Sequence, residues 1–198
     1  MNLSHCCPSV RTGWMGEVTK PAAKRGIVME ESILTSKRIL AVDDEPDVLE
    51  LLEEEILTAC PNCQFDKAPS YRIASDLLKS QTYDLVILDI MGVGGFDLLT
   101  QAVSRNFKVA MLTAHALNPE ALKRSIELKA RAYLPKEKLG EIIPFLEDIL
   151  KETEYIPGWA SLMNKLDRDF VRCWGGDWQK HDSEFWREFE QKTDHIRL

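Results

Sequence analysis

Residues Leu85-Val86-Ile87-Leu88 run without a polar interruption and stop at Asp89. A run this short and this apolar suits a strand buried on both faces, the situation of a parallel sheet covered by helices. A second stretch, Arg38-Ile39-Leu40-Ala41-Val42, is of the same kind and also ends in acid, at Asp43-Asp44-Glu45. Ligands of such sheets bind in the crevice beyond the carboxyl ends of the strands, so both acidic endings predict side chains at one rim.

The segments between these runs carry helical spacing. After Asp43-Asp44-Glu45, Pro46 suits a first helical turn, and the acids favour the positive end of the helix dipole. Val48, Leu49, Leu52 and Ile56 then repeat at helical intervals, and Pro61-Asn62 closes the element. A weaker strand is expected over 64–68. Ser70 is positioned to cap a helix carrying Ile73, Leu77 and Leu78, which leads to the strand ending at Asp89. Gly92, Gly94 and Gly95 make a turn, and Phe96, Leu98, Leu99 and Val103 mark the next helix. Lys108–Leu112 reads as a fourth strand ending in Thr113-Ala114, and Asn118-Pro119 opens a helix with Leu122 and Ile126. Ala132–Leu134 is a short fifth strand before Pro135-Lys136. The following helix, with Ile142, Ile143, Leu146, Ile149 and Leu150, must begin near Leu139 so that Pro144 falls in its first turn. Strands alternating with helices in this way predict a doubly wound α/β domain over 37–151.

Composition narrows what such a chain does. Over 198 residues the net charge is -7, which argues against binding DNA non-specifically. No apolar run approaches the roughly 18 residues of a membrane helix, and the first thirty residues lack the apolar core of a secretory signal, so a cytoplasmic protein without a membrane span is expected. That opening segment, with Gly and Pro scattered through it, reads as disordered, and Met29 is an alternative start. Cys60-Pro-Asn-Cys63 has the spacing of a metal or redox pair, but no second pair and no suitable His pair follows, so it reads as two small residues beside a turn. Cys6 and Cys7, beside His5, and the isolated Cys173 imply no disulfide framework.

Asp43 and Asp44 after the first strand, Asp89 after the third, Thr113 after the fourth and Lys136 after the fifth resemble the receiver domain of two-component response regulators. Tyr133 matches that family's switch aromatic. Singly, each residue has a plainer role: Asp44 as a helix cap, Asp89 in a turn, Thr113 at a strand end, Lys136 as a solvated charge. Their joint placement, in order, carries the resemblance. It implies a flavodoxin-like five-stranded parallel sheet of order 2-1-3-4-5. It further implies that Asp89 accepts a phosphoryl group from a histidine kinase or phosphotransfer protein. Mg²⁺ would be held by Asp44, Asp89 and the Met91 backbone carbonyl, with Asp43 acting mainly through water. Lys136 would supply positive charge. Thr113 would donate to the phosphoryl group, and Tyr133 would follow it inward. The signal would leave through the face of the fourth helix, fifth strand and fifth helix, where relatives also form homodimers. No enzymatic activity is expected beyond self-catalysed phosphorylation and dephosphorylation.

Two departures from the family pattern stand out. The loop Asp89-Ile-Met-Gly-Val-Gly-Gly is short and lacks a proline, and Glu137 follows Lys136 where proline is frequent. Met91 and His115, each two residues beyond a site residue, are expected to tune hydrolysis.

Residues 152–198 resemble no catalytic effector. Pro157-Gly158 and Gly175-Gly176 are expected to break the chain, around a helix with Trp159, Leu162, Met163, Leu166, Phe170 and Trp174 and another with Trp178, Phe185, Trp186 and Phe189. The segment reads as an aromatic-rich helical hairpin that packs back onto the domain, with a partner or self-association surface as the alternative. It is too short for a complete DNA-binding effector and carries more acids than bases. A phosphorylation-dependent switch acting through an unnamed protein target is therefore favoured. A phosphorylation-independent scaffold, or a regulator whose tail is an output module, are the alternatives.

Overall fold

A computed structural model describes residues 32–114, 118–153 and 155–194. His5, Cys6, Cys7, Met29 and His115, and the expectations resting on them, lie outside these residues. Strands β1 (Arg38–Val42), β2 (Gln64–Ala68), β3 (Leu85–Asp89), β4 (Lys108–Thr113) and β5 (Ala132–Pro135) form one parallel sheet in the order β2-β1-β3-β4-β5. Helices α1 (Pro46–Ala59), α2 (Tyr71–Ser80), α3 (Gly95–Ser104), α4 (Pro119–Glu127) and α5 (Ile142–Lys151) alternate with the strands. The α/β class, the strand order and the helical extension are as expected.

Local chemistry sets the element ends. Pro46 occupies the first turn of α1, where a missing N–H breaks no bond. Asn118 caps α4, its side chain accepting from the Glu120 and Ala121 amides at 2.8 and 3.2 Å. β3 is buried along its whole length, as its uninterrupted apolar run requires. Cys60 and Cys63 are buried free thiols, and burial pushes the Cys63 thiol up to about 11.

Three boundaries differ from the sequence reading. Ordered structure reaches below residue 37: Ser32–Ser36 form a turn, and Leu34 is fully buried in the core. A 3₁₀ stretch, Lys136–Glu141, separates β5 from α5 and leaves Pro144 in the first turn of the helix. Pro157-Gly158 does not break the chain but lies in the first turn of α6 (Tyr155–Trp174), where an N–H is not needed. A 3₁₀ turn, Trp178–Asp182, then leads to α7 (Ser183–Asp194). The Lys108 ammonium ends α5 by donating to the Ile149, Leu150 and Glu152 carbonyls at 2.9, 2.8 and 3.0 Å, which fixes where the chain turns towards α6. Burial, then the nearby Arg131, lowers the Lys108 pKa.

Candidate functional site

Strand register brings the acids together. Val42 pairs with Leu88, so Asp43 and Asp89 follow side by side. Asp89 pairs with Leu112, which places Thr113 one step beyond, and Thr113 pairs with Pro135, which places Lys136 next along the rim. One oxygen each from Asp43, Asp44 and Asp89 lies within 4.8 Å of the others. Asp43 and Asp89 are buried, whereas Asp44 is exposed. The Lys136 ammonium sits 2.8 Å from Asp43 Oδ2 and 3.2 Å from Asp89 Oδ1.

Proximity is not full satisfaction here. Asp43 Oδ2 and Asp89 Oδ1 are buried and make no well-oriented hydrogen bond, although the ammonium is close enough for a Coulombic pair. Burial, reinforced by the neighbouring Asp43 charge, raises the Asp89 pKa against the opposing pull of Lys136. Burial alone would lower the Lys136 pKa, but the neighbouring Asp43 and Asp89 charges and the hydrogen bond to Glu45 outweigh it and keep the ammonium charged. Buried carboxylate oxygens without donors, beside a third carboxylate, fit a hard divalent cation such as Mg²⁺, which takes oxygen ligands.

The sequence reading missed two participants. Glu45 accepts a 2.8 Å hydrogen bond from Lys136, which lowers the Glu45 pKa. The lysine is therefore shared by three carboxylates, and the local charge is one unit more negative than Asp43, Asp44 and Asp89 alone supply. In the sequence Glu45 stands only as an acid at the positive end of a helix dipole, and nothing there shows its reach to residue 136. The second is Gly92. A Cβ built there would lie 2.1 Å from Asp44 Oδ1, so the short loop closes directly over that carboxylate; any other residue would push the Asp44 side chain aside and strain a backbone whose φ is +31°.

The remaining residues fall around this centre. The Met91 carbonyl accepts from the Val93 amide in a tight turn, and its side chain is 69% exposed. Thr113 is buried, and its hydroxyl donates weakly to the Ala114 carbonyl at 3.4 Å. Tyr133 is fully buried, and its hydroxyl accepts from the Asn118 amide at 3.3 Å. Burial raises the Tyr133 pKa, so the phenol stays neutral.

The response regulator receiver domain model matches residues 39–146, more than half of the chain. The chain belongs to the response regulator receiver domain family. The two-component response regulator ARR18 of Arabidopsis thaliana is 32% identical over 141 residues, covering 68% of this chain but only 21% of that protein. The signal receiver domain of a DNA-binding response regulator from Colwellia psychrerythraea is 27% identical, with a TM-score of 0.50 over 56% of this chain and 97% of its own. A response regulator from Thermotoga maritima, 17% identical, shares the fold at a TM-score of 0.53, over 59% of this chain and 99% of its own. The chain is thus a two-component receiver, of a family that serves as signalling switches and typically uses an aspartyl phosphate and Mg²⁺. Among the described residues no helix is long and apolar enough to cross a membrane.

Proposed function

We propose that this receiver accepts a phosphoryl group on Asp89 from a histidine kinase or phosphotransfer protein and signals through protein contacts. The observation that carries this reading is the pair of buried, hydrogen-bond-deficient oxygens on Asp43 and Asp89, beside Asp44 and within reach of one lysine. A charge arrangement this costly in the resting protein is explained by a cation and a phosphoryl group that complete it.

In the transfer, an Asp89 carboxylate oxygen attacks phosphorus while the bond from phosphorus to the donor's nitrogen breaks. The nitrogen keeps that electron pair and takes a proton, and Asp89 becomes an acyl phosphate. Asp44 and Asp89, with Asp43 behind them, would hold Mg²⁺, which would supply positive charge for the transferring oxygens. Met91 offers a further carbonyl lone pair. Lys136, drawn by the added negative charge, shifts from Glu45 towards the phosphoryl oxygens. The Thr113 hydroxyl turns from the Ala114 carbonyl to donate to the same group, and Tyr133 follows it inward.

Incubation of the full chain with a small-molecule phosphodonor and Mg²⁺ tests this by intact mass. One acid-labile phosphoryl group is expected, absent from Asp89→Asn and from reactions with excess chelator. An unmodified wild-type chain would favour the phosphorylation-independent scaffold instead.

A further inference from the structure

The amino end of the sheet, opposite the rim that carries Asp89, holds a second concentration of charge, and here it is positive. Arg105, Asn106 and Phe107 turn the chain out of α3 and into β4, which opens at Lys108. Lys129 stands just past the end of α4, Arg131 just ahead of β5, and Tyr155 opens α6. Asn106, Phe107, Lys108, Lys129, Arg131 and Tyr155 are brought together along one groove of about 380 Å³.

The cations of this groove are held by rings and carbonyls rather than by acids. The Lys129 ammonium lies 5.1 Å, and the Arg131 guanidinium carbon 5.7 Å, from the centre of the Tyr155 ring. Both terminal nitrogens of Arg131 reach the Thr153 carbonyl at 3.4 Å, a long shared contact that leaves the guanidinium fork largely uncommitted. Lys108 uses its three donors on the end of α5, so it adds charge to the groove without a free N–H. Among the described residues, Lys108, Lys129 and Arg131 form no ion pair with a carboxylate, in a chain whose net charge is -7. Like charge crowds as a result. After burial, Arg131 and then Lys37 push the Lys108 pKa down, against a smaller opposing pull from Glu152 and Asp84. An anion in the groove relieves that crowding.

The backbone at Lys129 points the same way. Its φ of +69° lies in the left-handed region where glycine usually ends a helix, and Asn106, across the groove, has a φ of +61°. Asparagine tolerates that conformation, whereas a lysine is kept there against its backbone preference. The helix dipole alone does not account for it, because Arg124 already places a cation in the last turn of α4. A side chain retained for its charge, with no acid to meet, fits an anionic ligand.

Size decides the class of anion. Small-molecule sites run from roughly 300 to 1,000 Å³, and a bare phosphate fills only a fraction of this groove. Phe107 and Val103 supply an apolar side suited to a flat body, while the acidic balance of the chain opposes a long polyanion. We propose that the groove binds a nucleoside phosphate, with its phosphates on Lys129 and Arg131 and its base against Phe107. The groove lies at the other end of the sheet from Asp89, so this proposal and the phosphoacceptor reading stand or fall separately.

Equilibrium dialysis and calorimetric titration of the full chain with ADP test it, in chelator so that no metal–nucleotide complex forms at the acidic rim. Saturable binding is expected. Lys129→Gly should weaken it about fivefold, and because glycine suits the left-handed backbone better than lysine, an unfolding midpoint at or above that of wild type shows that the fold is intact. Arg131→Gln should weaken it roughly tenfold, and Arg131→Lys, which keeps the charge but lacks the fork, should fall between that variant and wild type. Pyrophosphate is expected to bind several times more weakly than ADP; equal affinity would remove the nucleoside from the proposal. No ADP retained at millimolar concentration, or retention indifferent to Lys129 and Arg131, would overturn it outright. A short single-stranded DNA that displaces ADP and binds more tightly would point to nucleic acid and defeat the small-ligand assignment.

Discussion

At the carboxyl rim of the sheet, two buried carboxylate oxygens lack hydrogen bonds and one lysine serves three acids. At the hairpin face, the buried indole of Trp159 has its acceptor and the neighbouring rings pack edge to face. The rim thus holds electrostatic cost that a ligand can relieve, whereas the hairpin interface is complete as it stands. Stability and responsiveness are therefore placed in different parts of one chain, and the residues Thr113, Tyr133 and Asn118 lie between them.

The contrast makes predictions of decreasing size. Trp159→Ala, at the interface, removes a fully buried indole and should cost about 4 kcal/mol, read by urea unfolding. A loss below ~1 kcal/mol would mean that the hairpin contributes little to the fold. At the rim, Lys136→Met leaves Asp43 and Asp89 buried without their cation, and a loss of about 3 kcal/mol is expected in chelator. The double variant with Asp89→Asn should recover much of it.

Asp89→Asn alone should go the other way and stabilise the cation-free chain by about 1 kcal/mol, because it removes a charge whose burial is incompletely compensated. The pH dependence has a definite sign. The Asp89 pKa is raised in the folded state, so between the unfolded and folded values the native chain binds more protons than the unfolded one. Stability in chelator should therefore fall as pH rises from about 4 through the folded value, and Asp89→Asn should lack that component. Unfolding midpoints measured in chelator over this range check both statements. Added Mg²⁺ should reverse the loss in wild type.

Smaller effects separate the residues missed in the sequence. Gly92→Ala should weaken Mg²⁺ binding severalfold in a titration, because its Cβ collides with Asp44. Glu45→Gln should leave the unfolding midpoint essentially where it is, since the glutamate is exposed, while altering the rate of phosphoryl loss. An unchanged rate would limit Glu45 to a surface pair.

The alternation of apolar runs and helical spacing determined the parallel sheet, because a strand buried on both faces must read as continuous apolar sequence. The same pattern put Asp43, Asp44, Asp89, Thr113 and Lys136 at strand ends, and strand ends share a rim whatever the loops do. Tertiary structure decided what depends on distances between segments remote in sequence. Glu45 reaches Lys136 only because β1 and β5 end at the same rim, and Gly92 covers Asp44 only because the loop after β3 is short. The aromatic spacing of 159–189 announced a buried stripe. Whether its rings would meet one another or the receiver was settled only when α7 folded back along α6 and the pair came to rest against α4 and α5.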